Sequence, residues 1–294
     1  MSSICKLFIA VVSLIAAKGN CEIYKYQDAN GKWQYTDKKP KDTTPEVVEY
    51  KTHETKEIKP EFRLERGANG NSVYVKNPFY APMQIEIKSN QLESGRQDWL
   101  IPALGMARLF ARKEAIEPYE YRWQLGDPKA VPRNQYYRYP IKSGACVQIS
   151  QGFNGRYSHT DESSRYAVDI ATNVGTSVVA ARSGVVVQVK DDYPMGGVNE
   201  YFLDKANFVS IIHEDGSLAT YAHILLGSAE VKPGDRVQIG QELAKSGSSG
   251  FSSGPHVHFA IMRNAGNRQI SIPFEFIDAN GARIAPVRGL KMCE

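Results

Sequence analysis

Two histidines, His256 and His258, close the stretch Ser246-Gly-Ser-Ser-Gly-Phe-Ser-Ser-Gly-Pro-His-Val-His-Phe259. Small residues and a proline lead into an apolar strand, where positions i and i+2 share a face. Both imidazoles therefore project from one side, with Val257 and Phe259 on the other. Imidazole is the commonest metal-binding side chain and titrates near neutral pH, so the pair points to a metal or proton-transfer site. The chain has six histidines. Two more, His159 and His223, can be read with this pair, as can Asp169 in Tyr166-Ala-Val-Asp-Ile-Ala171. A catalytic zinc commonly takes three ligands from His, Asp and Glu and keeps a fourth position for water. His159, Asp169 and His258 would supply such a set, leaving His223 and His256 as unligated imidazoles beside the water.

Asp169 shares its strand face with Ala167 and Ala171, while Tyr166, Val168 and Ile170 take the other. Two alanines leave room for an ion, and a carboxylate on so apolar a strand needs a partner, because burying an unpaired charge is costly. A salt bridge would be the structural alternative.

From residue 145 to about 285 the chain resembles the lysostaphin/LytM-type zinc metalloendopeptidases. The resemblance rests on His159 followed by Asp169, on Gly175-Thr-Ser-Val-Val-Ala-Ala-Arg-Ser-Gly-Val185, on Tyr221-Ala-His-Ile224 and on Gly254-Pro-His-Val-His-Phe259. It implies one zinc ion per chain on His159, Asp169 and His258, with His223 and His256 catalytic, in an endopeptidase acting on the cross-linking peptides of peptidoglycan. One departure stands out. Nine residues separate His159 from Asp169 where many members have three, so a longer loop must bring His159 back to the strand. No His-Glu-x-x-His helix is present to supply a glutamate base. One imidazole would take the proton of the water and the other would stabilise the developing oxyanion. The alternative function is a non-catalytic LytM-like protein that binds peptidoglycan or activates another hydrolase. Filled positions at all five places weigh against it.

The elements that must position these residues are nearly all strands. Val178–Ala181, Gly184–Val189, Phe208–His213 and Leu218–His223 are β-rich runs, and Asp215-Gly216 closes a hairpin between the last two. Upstream, Ser72–Lys76, Met83–Lys88, Ala107–Ala111 and Tyr119–Gln124 alternate at intervals suited to a small immunoglobulin-like β-sandwich. Tyr136-Tyr-Arg-Tyr-Pro140 reads as a connector whose tyrosines pack between domains. Residues 22–46 carry strand formers on both sides of Asp28-Ala-Asn-Gly31, a strong hairpin turn. This stretch is similar to a small N-terminal module found on many exported bacterial proteins. Residues 47–62 read as a linker or an edge strand. The expected fold class is mainly β, with a signal peptide at 1–21, a hairpin module and linker at 22–60, a sandwich at 61–142 and an antiparallel β-sheet metallopeptidase domain at 143–294. His53 and His213 are assigned surface or structural roles.

Residues 1–17 place one lysine before a short apolar run, the pattern of a secretory signal, and no other stretch is long and apolar enough to span a membrane. Cleavage after Cys21 would leave Cys146 and Cys293 as an even pair flanking the site region, expected to be bridged in an oxidising compartment. The formal net charge is +4, and removing residues 1–21 takes away Lys6 and Lys18 and no acid, leaving +2. Nothing here forms a nucleic-acid footprint. The expected protein is an exported monomer of the periplasm or cell envelope, with no stable membrane insertion after signal removal and with peptidoglycan cross-linking peptides as its partner. In such a periplasm, the resemblance implies a D-alanyl–diaminopimelate bond as the target.

Overall fold

The computed structural model describes residues 22–27, 33–36, 44, 46–49, 57–68, 70–133, 136–142, 144 and 146–293. The expected signal segment 1–21, the turn at 28–31 and His53 lie outside them. Among the described residues the only helical element is a 3-10 turn, Glu200–Phe202, and no helix is long and apolar enough to cross a membrane.

The hairpin strands Glu22–Gln27 and Trp33–Thr36 pair antiparallel, and Glu46–Glu49 adds a third strand on the other side of Glu22–Gln27. That strand overlaps the start of the stretch read as linker or edge strand. A two-stranded ribbon is marginal in water, and the added ladder extends its hydrogen bonding.

Six strands follow in two antiparallel sheets. Glu61–Gly67, Gly70–Lys76 and Met106–Arg112 make one, and Arg96–Ile101, Met83–Lys88 and Glu120–Leu125 the other. Period-two alternation sends Val73 and Val75 from the first sheet, and Met83, Ile85 and Ile87 from the second, into one core. The intervening Gln84 and Glu86 are buried as well. They face the C-terminal part of the chain. Asn264 Nδ2 donates to Gln84 Oε1 at 2.9 Å, and Asn267 Nδ2 donates to Glu86 Oε2 at 2.7 Å. Val187 and Leu218, from the C-terminal sheet, complete the sandwich core. The two regions therefore share buried apolar surface.

The C-terminal region is built on a nine-stranded sheet. Its path runs Arg236–Val237, Gly184–Lys190, Phe208–Ile212, Leu218–Ala222, His256–Asn264, Val168–Ala171, Cys146–Gln151, Lys291–Cys293, with Gln269–Ser271 pairing off His256–Asn264. One face buries Val168, Ile170, Tyr221, Val257 and Phe259. The connector tyrosines join this core rather than a gap between domains. Tyr136–Tyr137 pairs in parallel with Glu275–Ile277, and Tyr137, Tyr139 and Ile141 are buried with Phe259, Phe274 and Phe276. Edge-on packing of Tyr137 and Phe259 on Phe274, with centroids 5.7 and 5.2 Å apart, suits the opposed signs of ring face and ring edge.

Cys146 lies opposite Cys293 across the paired edge strands and is bonded to it, closing a sequence separation of 147 residues. A cross-link over so long a loop removes much of the unfolded chain's freedom, by about 2–5 kcal/mol in typical cases. The Cys146→Ser/Cys293→Ser double variant should unfold at clearly lower denaturant concentration than the oxidised protein, by that amount. Coincident unfolding curves would refute the stabilising role.

His213 is buried rather than on the surface. Its Nδ1–H donates to the Ser183 carbonyl at 2.9 Å, and Nε2 has no hydrogen-bond partner among the described residues. Burial pushes its pKa down to about 4, the Ser183 contact and Asp215 opposing and Arg182 adding to the depression. The unfolded chain binds this proton near pH 6.5, the folded chain only near 4. Stability from a neutral His213 is thus present above pH 6.5 and is lost as pH falls toward 4. The loss is about 3 kcal/mol across that window. Denaturant titrations at pH 7.5 and 4.5 should show the wild type losing about 2–3 kcal/mol more than His213→Asn. Equal acid losses in the two proteins would remove His213 as the cause.

Candidate metal centre

The sheet register brings the predicted residues together. Asp169 lies directly opposite His258, and Ala171 opposite His256, on antiparallel strands. Ala222 pairs with His258 from the other side, so His223 follows at the end of its strand. His159 arrives from the loop between the strands Cys146–Gln151 and Val168–Ala171. Successive turns fold that loop back: His159 N bonds Gly155 O at 3.0 Å and Asn154 N bonds Arg165 O at 2.7 Å. The nine-residue spacing is thereby accommodated, and His159 reaches Asp169.

Hydrogen bonds fix which nitrogen of each ring faces inward. A carbonyl oxygen only accepts, so an imidazole nitrogen beside one carries the hydrogen. His159 Nδ1 lies 3.0 Å from Gly152 O, which turns Nε2 inward, 3.2 Å from Asp169 Oδ1. His223 Nδ1 lies 2.6 Å from Ser249 O, and His256 Nδ1 2.8 Å from Gly254 O. His258 is turned the other way, with Nδ1 2.9 Å from Asp169 Oδ1. Asp169 is oriented in turn by Gln151, whose amide donates to Oδ2 at 2.9 Å and leaves Oδ1 to the histidines. One ligand atom from each of His159, Asp169 and His258 lies within 4.8 Å of the others. Two imidazole lone pairs and a carboxylate oxygen converging at this range fit a cation, and N/O donors of this kind suit zinc. His256 Nε2 is farther from Asp169 Oδ1, at 3.7 Å.

His223 and His256 stand beside this group, with ring centroids 4.5 Å apart. His223 adopts a left-handed backbone, φ 64°, a conformation costly for a residue with a Cβ. The turn aims its ring back over the strand end. The loop 246–254 holds both imidazoles through its Ser249 and Gly254 carbonyls. Its shape needs Gly250, at φ +76°, where an added Cβ would meet the Ala206 backbone at 2.5 Å.

The electrostatics favour a charged carboxylate at Asp169 and neutral rings at His223 and His256. Burial alone would lift the Asp169 pKa, but hydrogen bonds from His159 and His258, together with nearby imidazole charge, hold it well below the usual carboxylate range. Burial pushes His223 down to about 3 and lowers His256 as well. His159 is raised: burial opposes the proton, and the bond and charge of Asp169 outweigh it.

A cleft of about 1030 Å³ opens beside Asp169, lined by residues 150–157, Ser253, Phe274, Glu275 and the segment 285–288. Of the five candidate site residues, Asp169 is the one that lines it. Gln151, Gly152, Ser249 and Gly254, which orient the chemical groups, were not singled out individually in the sequence. Their roles come from backbone carbonyls and one amide, which carry no compositional signature.

Residues 163–270 match the model of Peptidase family M23. Asp169, His223, His256 and His258 lie inside that segment, and His159 lies four residues before it. The glycyl-glycine endopeptidase ALE-1 of Staphylococcus capitis is 32% identical over 177 residues, 59% of this chain and 40% of that protein. The peptidoglycan DD-endopeptidase ShyA of Vibrio cholerae is 32% identical over 164 residues, 53% of this chain and 34% of that protein. The solved catalytic domain of lysostaphin from Staphylococcus simulans aligns at 30% identity over 45% of this chain and 88% of that domain, with a TM-score of 0.31. This chain thus spans two fifths or less of the length of these curated relatives. The family match and the relatives fall on one segment, and through it this chain carries a region similar to Peptidase family M23, with homology to the endopeptidases lysostaphin and ALE-1.

Proposed function

We propose that this chain is an exported zinc endopeptidase that hydrolyses the peptide cross-links of peptidoglycan. The observation that carries the reading is the convergence of His159 Nε2, Asp169 Oδ1 and His258 Nδ1, flanked by His223 and His256. His159, Asp169 and His258 hold one zinc ion. The ion supplies Lewis acidity, lowering the pKa of water and polarising a carbonyl. His223 and His256 are the catalytic bases and donors. Their Nδ1–H groups are tied to backbone carbonyls, so each presents an Nε2 lone pair. One would take the proton of the attacking water at Nε2 and return it to the departing amine, and the other, with a proton taken up from solvent at Nε2, would donate to the oxygen that develops charge. Gln151 keeps the Asp169 carboxylate in register throughout.

Residues 1–21 act as a removed signal, 22–60 and 61–142 as accessory modules and 143–294 as the peptidase, working as a monomer in the periplasm or envelope. The names of the relatives support a peptidoglycan peptide as substrate. The test is mass spectrometry of muropeptides after incubating zinc-loaded 22–294 with sacculi, beside a chelator-treated sample. Conversion of cross-linked dimers to monomers in the zinc-loaded sample alone supports the reading. Unchanged muropeptides with protein still bound to sacculi would point to the binding-module alternative.

A further inference from the structure

The cleft beside Asp169 lies between two chain segments. One is the loop 151–157 and the other is the segment 285–288. Each contributes an exposed arginine to the lining, Arg156 and Arg288. Among the described residues neither guanidinium makes a salt bridge. Two carboxylates line the same space. Asp169 is engaged by Gln151, His159 and His258, which leaves Glu275 as the one acidic counterweight.

The arginines stand on a fixed wall. A Cβ built on Gly152 would lie 3.0 Å from Pro286 O and 3.1 Å from Arg288 N, so the two segments are in tight backbone contact. Gly152 O is the acceptor that orients His159. Gly289 N bonds Ile149 O at 2.9 Å, Gln148 Nε2 donates to Gly289 O at 3.1 Å, and the Cys146–Cys293 bond follows. Arg156 sits in the turn whose Gly155 carbonyl accepts from His159 N. Phe153, Phe274, Pro286 and Val287 make the rest of the lining largely apolar. A guanidinium fork matches a carboxylate bidentately.

We propose that this cleft is a carboxylate-receiving subsite, in which Arg156 and Arg288 bind a free carboxylate of the substrate peptide while its scissile bond lies at the histidine cluster. The inference rests on the endopeptidase reading and adds the chemical class that the site selects. The two arginines are specificity residues, and they discriminate an acidic peptide from its amidated counterpart.

The test uses the zinc-loaded chain 22–294 and two synthetic cross-linked peptides. They are identical except for a carboxylate or a carboxamide next to the scissile position, and the scissile amide is replaced by an uncleavable ketomethylene group. Wild type should bind the acid about 10- to 100-fold more tightly than the amide, the range expected for one or two charge-assisted contacts. Arg156→Gln and Arg288→Gln should each erode that ratio, and the double variant should bind both peptides equally. Both positions are exposed, so matched thermal melts will confirm that the variants fold. Equal binding by wild type, no binding of either peptide, or a preference that survives the double substitution overturns the inference. Hydrolysis of the corresponding unmodified amides is measured separately. Turnover without acid preference removes the subsite and keeps the endopeptidase, and acid preference without turnover does the reverse.

Discussion

His258→Ala is expected to abolish metal retention and hydrolysis together. The side chain supplies Nδ1 2.9 Å from Asp169 Oδ1, on the strand directly opposite, and nothing else in the cluster can take that place without moving backbone. His256 Nε2, the nearest substitute, starts 3.7 Å from the same oxygen and is held by the Gly254 carbonyl through its other nitrogen. Loss of the several kcal/mol of charge stabilisation that a metal provides corresponds to a fall in kcat/KM of about 10⁴-fold or more. Zinc content by elemental analysis should drop from about one per chain to near zero. A variant that keeps both its metal and its turnover would require a different ligand set.

The second large effect separates catalysis from binding of the ion. His256→Ala and His223→Ala should each retain zinc at wild-type stoichiometry and lose about 10²- to 10⁴-fold in kcat, with a smaller change in KM. The reasoning is geometric. Both rings are anchored through Nδ1, at 2.8 and 2.6 Å from carbonyls, and both expose Nε2 beside the cluster without belonging to the three-residue group. Burial keeps both rings neutral in the absence of metal, which suits a base. Measured metal loss in either variant would move that histidine into the ligand set. Turnover within a few-fold of wild type would remove it from the chemistry.

Much of the site was legible from local pattern. Strand alternation alone put His256 and His258 on one face, and it put Asp169 between two small residues. The strands of the sandwich and of the central sheet were legible for the same reason, since each carries its own period-two signal. Three things were not. The route of the loop carrying His159 depends on turns such as Asn154 with Arg165, which periodicity does not encode. The choice of ring nitrogen depends on carbonyls at Gly152, Ser249 and Gly254, set by backbone shape. The burial of Tyr137 and Tyr139 in the C-terminal core, and of Val187 and Leu218 in the sandwich core, depends on segments that meet only in the folded chain. An aromatic connector looks the same in sequence whichever side it packs on.

The pairing of Cys146–Gln151 with Lys291–Cys293 has a consequence for the order of synthesis. All five histidine and aspartate positions precede residue 259, yet the strand beside Asp169 lacks an outer neighbour until the last dozen residues exist. Pro286 and Arg288, which press on the backbone that orients His159, arrive equally late. Contacts between such distant segments make folding slow, because loop closure must precede the gain from pairing. A nascent chain therefore passes through a stage, from residue 258 to about 290, with every chemical group present and the scaffold incomplete. A premature stop codon between 260 and 285 would spare the whole motif and still yield an inactive product.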